Sequence, residues 1–179
     1  VSFQNGVTNE EWLSQKGFTT YGCTVMVGAE ITEPGNVRHS GGKLLEVGKW
    51  PSGNDLTSDA LVADLNESGM DASVDERVID GKWGKLVRNL ANAYLALTDL
   101  SVQEASCDPL DRQFIADVNE EAADVLELAE ISARMIGKRD LREQIARLRD
   151  PGFWPARRAV TETTRSYPST WQDLALRRE

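Results

Sequence analysis

The segment GKWGKLVRNLANAYLAL, residues 81–97, marks the change from a mixed pattern to a helical one. Apolar residues recur in it at intervals of three and four, which is the period of one face of an α-helix. These residues are Leu86, Leu90, Ala93 and Leu97. The spacing predicts one continuous helix that packs through this face.

A second stripe of the same segment is polar and contains Lys85, Asn89 and Asn92, followed by Ala96. Asparagine is uncommon inside helices because its amide competes for backbone hydrogen bonds. Two amides beside one ammonium group could hold a small polar anion and protonate an oxygen that gains negative charge. The alternative is a polar face that only meets water.

The composition is that of an ordinary globular protein, with 40% hydrophobic and 27% charged residues in a chain of 179. The net charge of −9 would repel nucleic acid, although a small anionic ligand needs only a local positive group. No apolar run is long enough for a membrane helix, and the start does not resemble a signal peptide. These features predict a cytoplasmic protein without nucleic-acid or membrane partners.

Several kinds of catalytic centre are hard to build from this sequence. The two cysteines, Cys23 and Cys107, form neither a disulfide framework nor a metal site, and His39 is the single histidine. No G-x-G-x-x-G, Walker, C-x-x-C or H-E-x-x-H motif is found. We therefore expect no metal centre and no Ser-His-Asp triad, and we interpret His39 as a strand or loop residue.

The first part of the chain predicts alternating strands and helices. A strand-like opening ends at Asn5-Gly6, and Thr8 with Glu11 fits a capping box at the start of a helix. Further strands are predicted over residues 19–32, through 37–39 and through 44–47, then a helix over 58–68 with Leu61, Val62 and Leu65 inward, and a short strand at 72–74.

The second part predicts helices throughout. They cover residues 81–97, roughly 110–136, 140–149 and about 154–165, with a last helix after Ser169. Ser169 and Gln172 fit another capping box, so Ser169 is most simply an N-cap. An acidic cluster, Asp117, Glu120, Glu121 and Asp124, is predicted to be the solvated face of its helix. The fold class is therefore α/β followed by all-α.

Four segments occur in an order that resembles one family. They are FQNGV at residues 3–7 with NEE at 9–11, the stretch from Tyr21-Gly22 to PGNV at 34–37, KWGKLVRN at 82–89, and STWQDL at 169–174. This order is similar to that of the ketopantoate reductases (2-dehydropantoate 2-reductases). The resemblance runs over nearly the whole chain.

The resemblance implies a Rossmann-like domain that binds NADPH and a helical domain that closes over it. Residues 1–78 would be the last part of the Rossmann-like domain, and 79–179 a helical substrate-binding and dimerisation domain truncated at its C-terminus. The family's glycine fingerprint is absent, and the chain opens on Val1. We therefore expect a piece of a longer chain that has no reductase activity alone.

The resemblance also assigns roles to individual residues. It matches Lys85 to the lysine that polarises the keto oxygen and supplies the proton, and a desolvated lysine would have a lowered pKa that suits this role. It matches Asn89 to a substrate-binding asparagine, Asn5 to the turn residue beside the nicotinamide, and Ser169 to the serine that receives the substrate carboxylate. The family's second helix asparagine would fall at Ala93; in this sequence Asn92 comes one residue earlier.

The implied function is NADPH-dependent reduction of ketopantoate to pantoate, in pantothenate and coenzyme A biosynthesis, by the intact protein. One alternative is a reductase of a different 2-oxo acid. Another is a non-catalytic helical module for dimerisation or binding. The sequence leaves open NADPH against NADH and whether the protein is a homodimer.

Overall fold

The computed structural model describes residues 1–153, 160–161 and 165–175, except the side chains of 30–32 and 40. Two compact units divide the chain, Val1–Leu86 and Val87–Glu179. The domains that the family resemblance implies, residues 1–78 and 79–179, stay a prediction. Among the described residues no helix is both long enough and apolar enough to cross a membrane.

The N-terminal unit is built on a mixed sheet. Strand β1 (Tyr21–Glu33) pairs antiparallel with β2 (Asn36–Lys49), and β3 (Asp71–Val74) pairs parallel with β2. Residues 37–39 and 44–47 belong to the same strand, so the prediction of two strands was wrong. The glycines between them absorb a bulge: Gly42 has a φ of 71°, and a Cβ there would collide with the carbonyl of Met26.

Two helices of this unit begin differently from the sequence prediction. Helix α1 (Asn9–Gln15) has no capping box, because the Thr8 side chain makes no capping hydrogen bond. Helix α2 (Leu56–Glu67) starts before residue 58 because the Asp55 carboxylate accepts hydrogen bonds from the backbone N–H groups of the first turn, including Thr57 at 3.0 Å.

The core of this unit lies between α2 and the sheet. Cys23, Leu45, Val47 and Ala72 are buried there. The predicted inward face of α2 is confirmed, since its apolar residues pack against this cluster: Leu61, Val62 and Leu65.

The segment that the sequence predicts as one helix forms two. Helix α3 (Val78–Asn89) ends before Leu90, and α4 (Ala91–Thr98) follows. The predicted apolar face is therefore not continuous: Leu90 is 40% exposed and Leu97 is 85% exposed. Val87 and Leu95 are buried instead.

The described part of the C-terminal unit is mainly helical. Its further elements are α5 (Val102–Cys107), α6 (Pro109–Leu128), a hairpin of β4 (Arg134–Met135) and β5 (Arg139–Asp140), α7 (Leu141–Arg149) and α8 (Ser169–Ala175). Helix α6 ends well before the predicted residue 136, because Glu130 takes a positive φ of 56° and the chain turns into the hairpin. The helix predicted over about 154–165 lies mostly outside the described residues.

Helix α7 confirms its predicted start and covers part of the acidic face of α6. Asp140 caps it by accepting from the Glu143 N–H at 2.8 Å. Arg149 binds Asp117 and Glu120, and Arg142 binds Asp124 and Glu127. The acidic cluster is thus largely exposed, as predicted, but it also pairs with α7.

We expect Asp55→Ala to lower the Tm at neutral pH, because it removes the α2 cap and the contacts with Lys49 and Tyr21. The hydrogen bond from Lys49 is the main reason that the pKa of Asp55 falls to about 2. Because this folded-state pKa lies below the unfolded value of about 3.9, the stabilisation is complete above about pH 4 and disappears as the pH approaches 2.

Thermal denaturation followed by circular dichroism checks this prediction, with Asp64→Ala, an exposed aspartate on the same helix, as the control. The Tm gap between wild type and Asp55→Ala should narrow on acidification below about pH 4. If Asp64→Ala lowered the Tm as much as Asp55→Ala does, the stabilising role assigned to Asp55 would be contradicted.

Candidate active site on helix α3

Helix α3 lies close against the sheet because Gly81 has no side chain. A Cβ at Gly81 would come within 3.0 Å of Thr24 Oγ1 and 3.3 Å of Glu46 Oε2. The next turn carries Lys85, whose Nζ donates a hydrogen bond to the backbone carbonyl of Val25 in β1. The Lys85 side chain is half-buried. The lysine that the sequence singled out is therefore held at a defined place on the sheet.

A buried ion pair lies under the first turns of α3. Lys82 Nζ donates to Glu10 Oε1 of α1, with the Lys82 side chain 3% exposed and the Glu10 side chain fully buried. Sequence reasoning missed this pair because its members are 72 residues apart. The remaining signal was weak: Glu10 and Lys82 both belong to the segments that carry the family resemblance.

The thiol of Cys23 lies near these charges, and its raised pKa keeps it protonated. Burial raises its pKa to about 12, and the ammonium groups of Lys82 and Lys85 oppose this only in part. Cys23 is only 1% exposed and belongs to the core cluster, and its raised pKa disfavours the reactive thiolate form.

The two candidate asparagines lie on different helices. Asn89 is the last residue of α3, one turn after Lys85, whereas Asn92 is in α4. The break at Leu90 interrupts the continuous polar stripe that the sequence predicts. Both asparagines are partly buried. In the described part of the chain neither side-chain amide has a hydrogen-bond partner.

Ser169 is exposed and forms the first residue of α8. The predicted capping box is wrong in detail. Pro168 O accepts from the Gln172 backbone N–H at 3.1 Å, and the Gln172 side chain donates to Tyr167 O at 2.9 Å. Helix α8 packs on α4, where Trp171 Nε1 donates to Asp99 Oδ1 at 2.7 Å. Ser169 thus starts a short helix that is anchored beside α4.

Asn5 lies in the exposed turn before α1. Its backbone carbonyl accepts from Asn9 Nδ2 at 2.9 Å, and Gly6 takes a φ of 89°, as the predicted Asn-Gly turn requires. Within the described ranges its side-chain amide has no partner. This amide is available to a ligand or to water.

Other kinds of centre find little support in the described residues. They contain no group of His, Cys, Asp and Glu arranged to hold a metal. His39 is exposed on β2, with Nε2 2.7 Å from Gly42 O, as expected for a strand residue. The candidate residues supply one ammonium group, that of Lys85, which is hydrogen-bonded to the sheet, together with neutral amide and hydroxyl groups.

No family model matches the chain, but individual relatives do. The 2-dehydropantoate 2-reductase of Pyrococcus horikoshii is 32% identical over 91 residues, which are 51% of this chain and 30% of the relative. The enzyme of that name from Halobacterium salinarum is 32% identical over 103 residues, 56% of this chain and 34% of the relative.

Solved structures cover much more of the chain. The ketopantoate reductase from Ralstonia eutropha JMP134 has a TM-score of 0.75 and is 26% identical; the match covers 99% of this chain and 54% of that one. A D-mandelate dehydrogenase solved with NADH has a TM-score of 0.74 at 22% identity, over 96% of this chain and 55% of that one. The chain therefore spans about half the length of these proteins.

In its fold the chain is similar to the solved ketopantoate reductase and to the D-mandelate dehydrogenase. In its sequence the chain is similar to the 2-dehydropantoate 2-reductases in particular, which confirms the predicted resemblance and fold class.

Proposed function

We propose that this chain forms part of a nicotinamide-dependent reductase of 2-oxo acids, with ketopantoate as the leading substrate and Lys85 as the proton donor. The observation that carries the proposal is the position of Lys85 on α3, in a segment similar to the lysine motif of ketopantoate reductases. The curated relatives, which bear the name 2-dehydropantoate 2-reductase, support the same chemistry.

Lys85 has the chemistry that this role needs. Its ammonium group would polarise the keto oxygen and donate a proton to it as the bond order of the carbonyl falls. The half-buried position excludes part of the surrounding water, which strengthens its interaction with a developing oxyanion. The Val25 carbonyl limits the rotamers of the long side chain, so that less entropy is lost on binding.

The neutral candidates suit the rest of a 2-oxo acid. Asn89, Asn92 and Ser169 would donate to the carboxylate, the keto oxygen or the hydroxyl of the substrate. Their side chains have no hydrogen-bond partner among the described residues, so binding would not have to break one. Mutation of these residues separates substrate binding from the role of a polar face that only meets water.

The cofactor would be NADPH, which supplies a hydride when bound. Asn5 fits a contact with its nicotinamide end, because this exposed amide has unused donors and an acceptor. Residues 1–179 contain no G-x-G-x-x-G turn to hold the pyrophosphate. We therefore expect residues 1–179 alone to show no turnover with NADPH.

Two other functions remain as alternatives. Because Asn92 precedes the family position, which here is Ala93, the second candidate substrate is a different 2-oxo acid. A non-catalytic dimerisation or binding module would keep the fold and would not depend on Lys85. Homodimer formation is likewise a proposal.

Lys85→Ala in the whole protein should lower kcat for ketopantoate reduction by about 10²–10⁴-fold, the usual contribution of a positioned general acid. The measurement is NADPH oxidation followed by absorbance, with circular dichroism to show that the fold is intact. Lys43→Ala, which removes an exposed lysine of β2, is the matched control and should retain turnover. Unchanged kcat in Lys85→Ala would exclude the proposed role.

Three 2-oxo acids separate the possible substrates: ketopantoate, trimethylpyruvate, which lacks only its hydroxyl group, and phenylglyoxylate. A site that hydrogen-bonds the hydroxyl should prefer ketopantoate over trimethylpyruvate by orders of magnitude in kcat/KM. Equal kcat/KM for these two acids would count against ketopantoate as the substrate.

Asn92→Ala should raise the KM for the preferred acid with little change in kcat. An unchanged KM in Asn92→Ala would count against a role of Asn92 in substrate binding.

A further inference from the structure

The buried ion pair between Glu10 and Lys82 is not explained by its contribution to the stability of the fold. Both side chains are almost completely removed from solvent, and Glu10 Oε2 has no hydrogen-bond partner in the described part of the chain. Burying two charges costs as much as their attraction returns unless every lone pair is satisfied. A well-packed apolar pair would stabilise the fold at least as well, so the pair calls for a second explanation.

The surroundings of Glu10 are shaped to admit it. Gly22 of β1 faces this side chain, and a Cβ there would come within 3.4 Å of Glu10 Cγ and 3.2 Å of Val78 Cγ1. The missing side chain therefore leaves room both for Glu10 and for the first turn of α3. Helix α1, strand β1 and helix α3 meet at this point.

The two lysines of α3 attach the helix to two different elements. Lys82 binds Glu10 of α1, and Lys85, three residues later on the same side of the helix, binds the Val25 carbonyl of β1. Sliding or rotating α3 would separate Lys82 from Glu10 and leave two unpaired charges in the interior. Displacing the helix therefore carries this large cost, whereas breaking a hydrogen bond such as the one from Lys85 to the Val25 carbonyl costs much less.

We propose that Glu10 and Lys82 are positioning residues, which fix α3 on the sheet so that the Lys85 ammonium group stays where the substrate oxygen is protonated. This inference rests on the proposed role of Lys85. It differs from a purely structural role because it concerns the place of one amine and not the free energy of unfolding.

The decisive variant is Glu10→Gln with Lys82→Met, which removes both charges and so leaves none unpaired in the interior. Glu10→Gln alone and Lys82→Met alone accompany it. The control is Lys49→Met, which breaks the more exposed pair Lys49–Asp55 in the same unit. All are made in the whole protein and checked by circular dichroism.

Two measurements follow on the folded variants. The first is the rate at which acetic anhydride acetylates Lys85, mapped by peptide mass spectrometry, which needs no turnover. We expect the double variant to react about tenfold faster, because a displaced Lys85 is more open to solvent. The second is steady-state kinetics, where kcat should fall by about ten- to a hundredfold with little change in KM. Lys49→Met should alter neither.

Wild-type acetylation and wild-type kcat in a folded double variant would overturn the inference, even if the single variants unfold. If the proposed role of Lys85 as proton donor is wrong, the experiments give a different result. In that case Lys85→Ala would retain turnover while the acetylation rate of Lys85 still responded to loss of the pair.

Discussion

The arrangement of the N-terminal unit depends on the ion pair between Glu10 and Lys82, because it joins α1 to α3 in the interior. Removing one partner of such a pair typically costs about 3–5 kcal/mol, since the other charge remains buried. Replacing both by apolar groups can cost nothing. The pair therefore contributes little net stability but makes other placements of α3 unfavourable. The placement of α3 in turn sets the position of Lys85.

Glycine makes these close contacts possible. Gly81 brings α3 against Thr24, and Gly22 leaves room for Glu10. Gly48 is stricter, because a Cβ there would collide with the carbonyl of Asp75 just before α3. The backbone approaches that place the helix thus need glycine on the sheet as well as on the helix.

The sequence predicted what local pattern controls. Asp140 begins α7, and the inward face of α2 packs as its spacing indicates. It failed where nonlocal packing overrides local preference. Nothing in the apolar spacing shows that Leu90 interrupts the helix, and no local signal shows that residues beyond Leu128 leave α6 for a hairpin.

The candidate site shows the same division. Their spacing predicts Lys85 and Asn89 on one helix, and both lie on α3. Their tertiary partners could not be predicted: Val25 is 60 residues from Lys85, and Glu10 is 72 residues from Lys82. Spacing along a helix shows which side chains share a face, but it does not show what that face meets.

Chemical rescue tests the central claim, that Lys85 donates the proton, most directly. In Lys85→Ala of the whole protein, small primary amines added to the assay should restore part of the ketopantoate reduction, because a free ammonium ion can occupy the space that the side chain leaves. The restored rate should saturate with amine concentration and vary with the pKa of the amine. Loss of turnover that no amine of suitable size relieves would contradict the account.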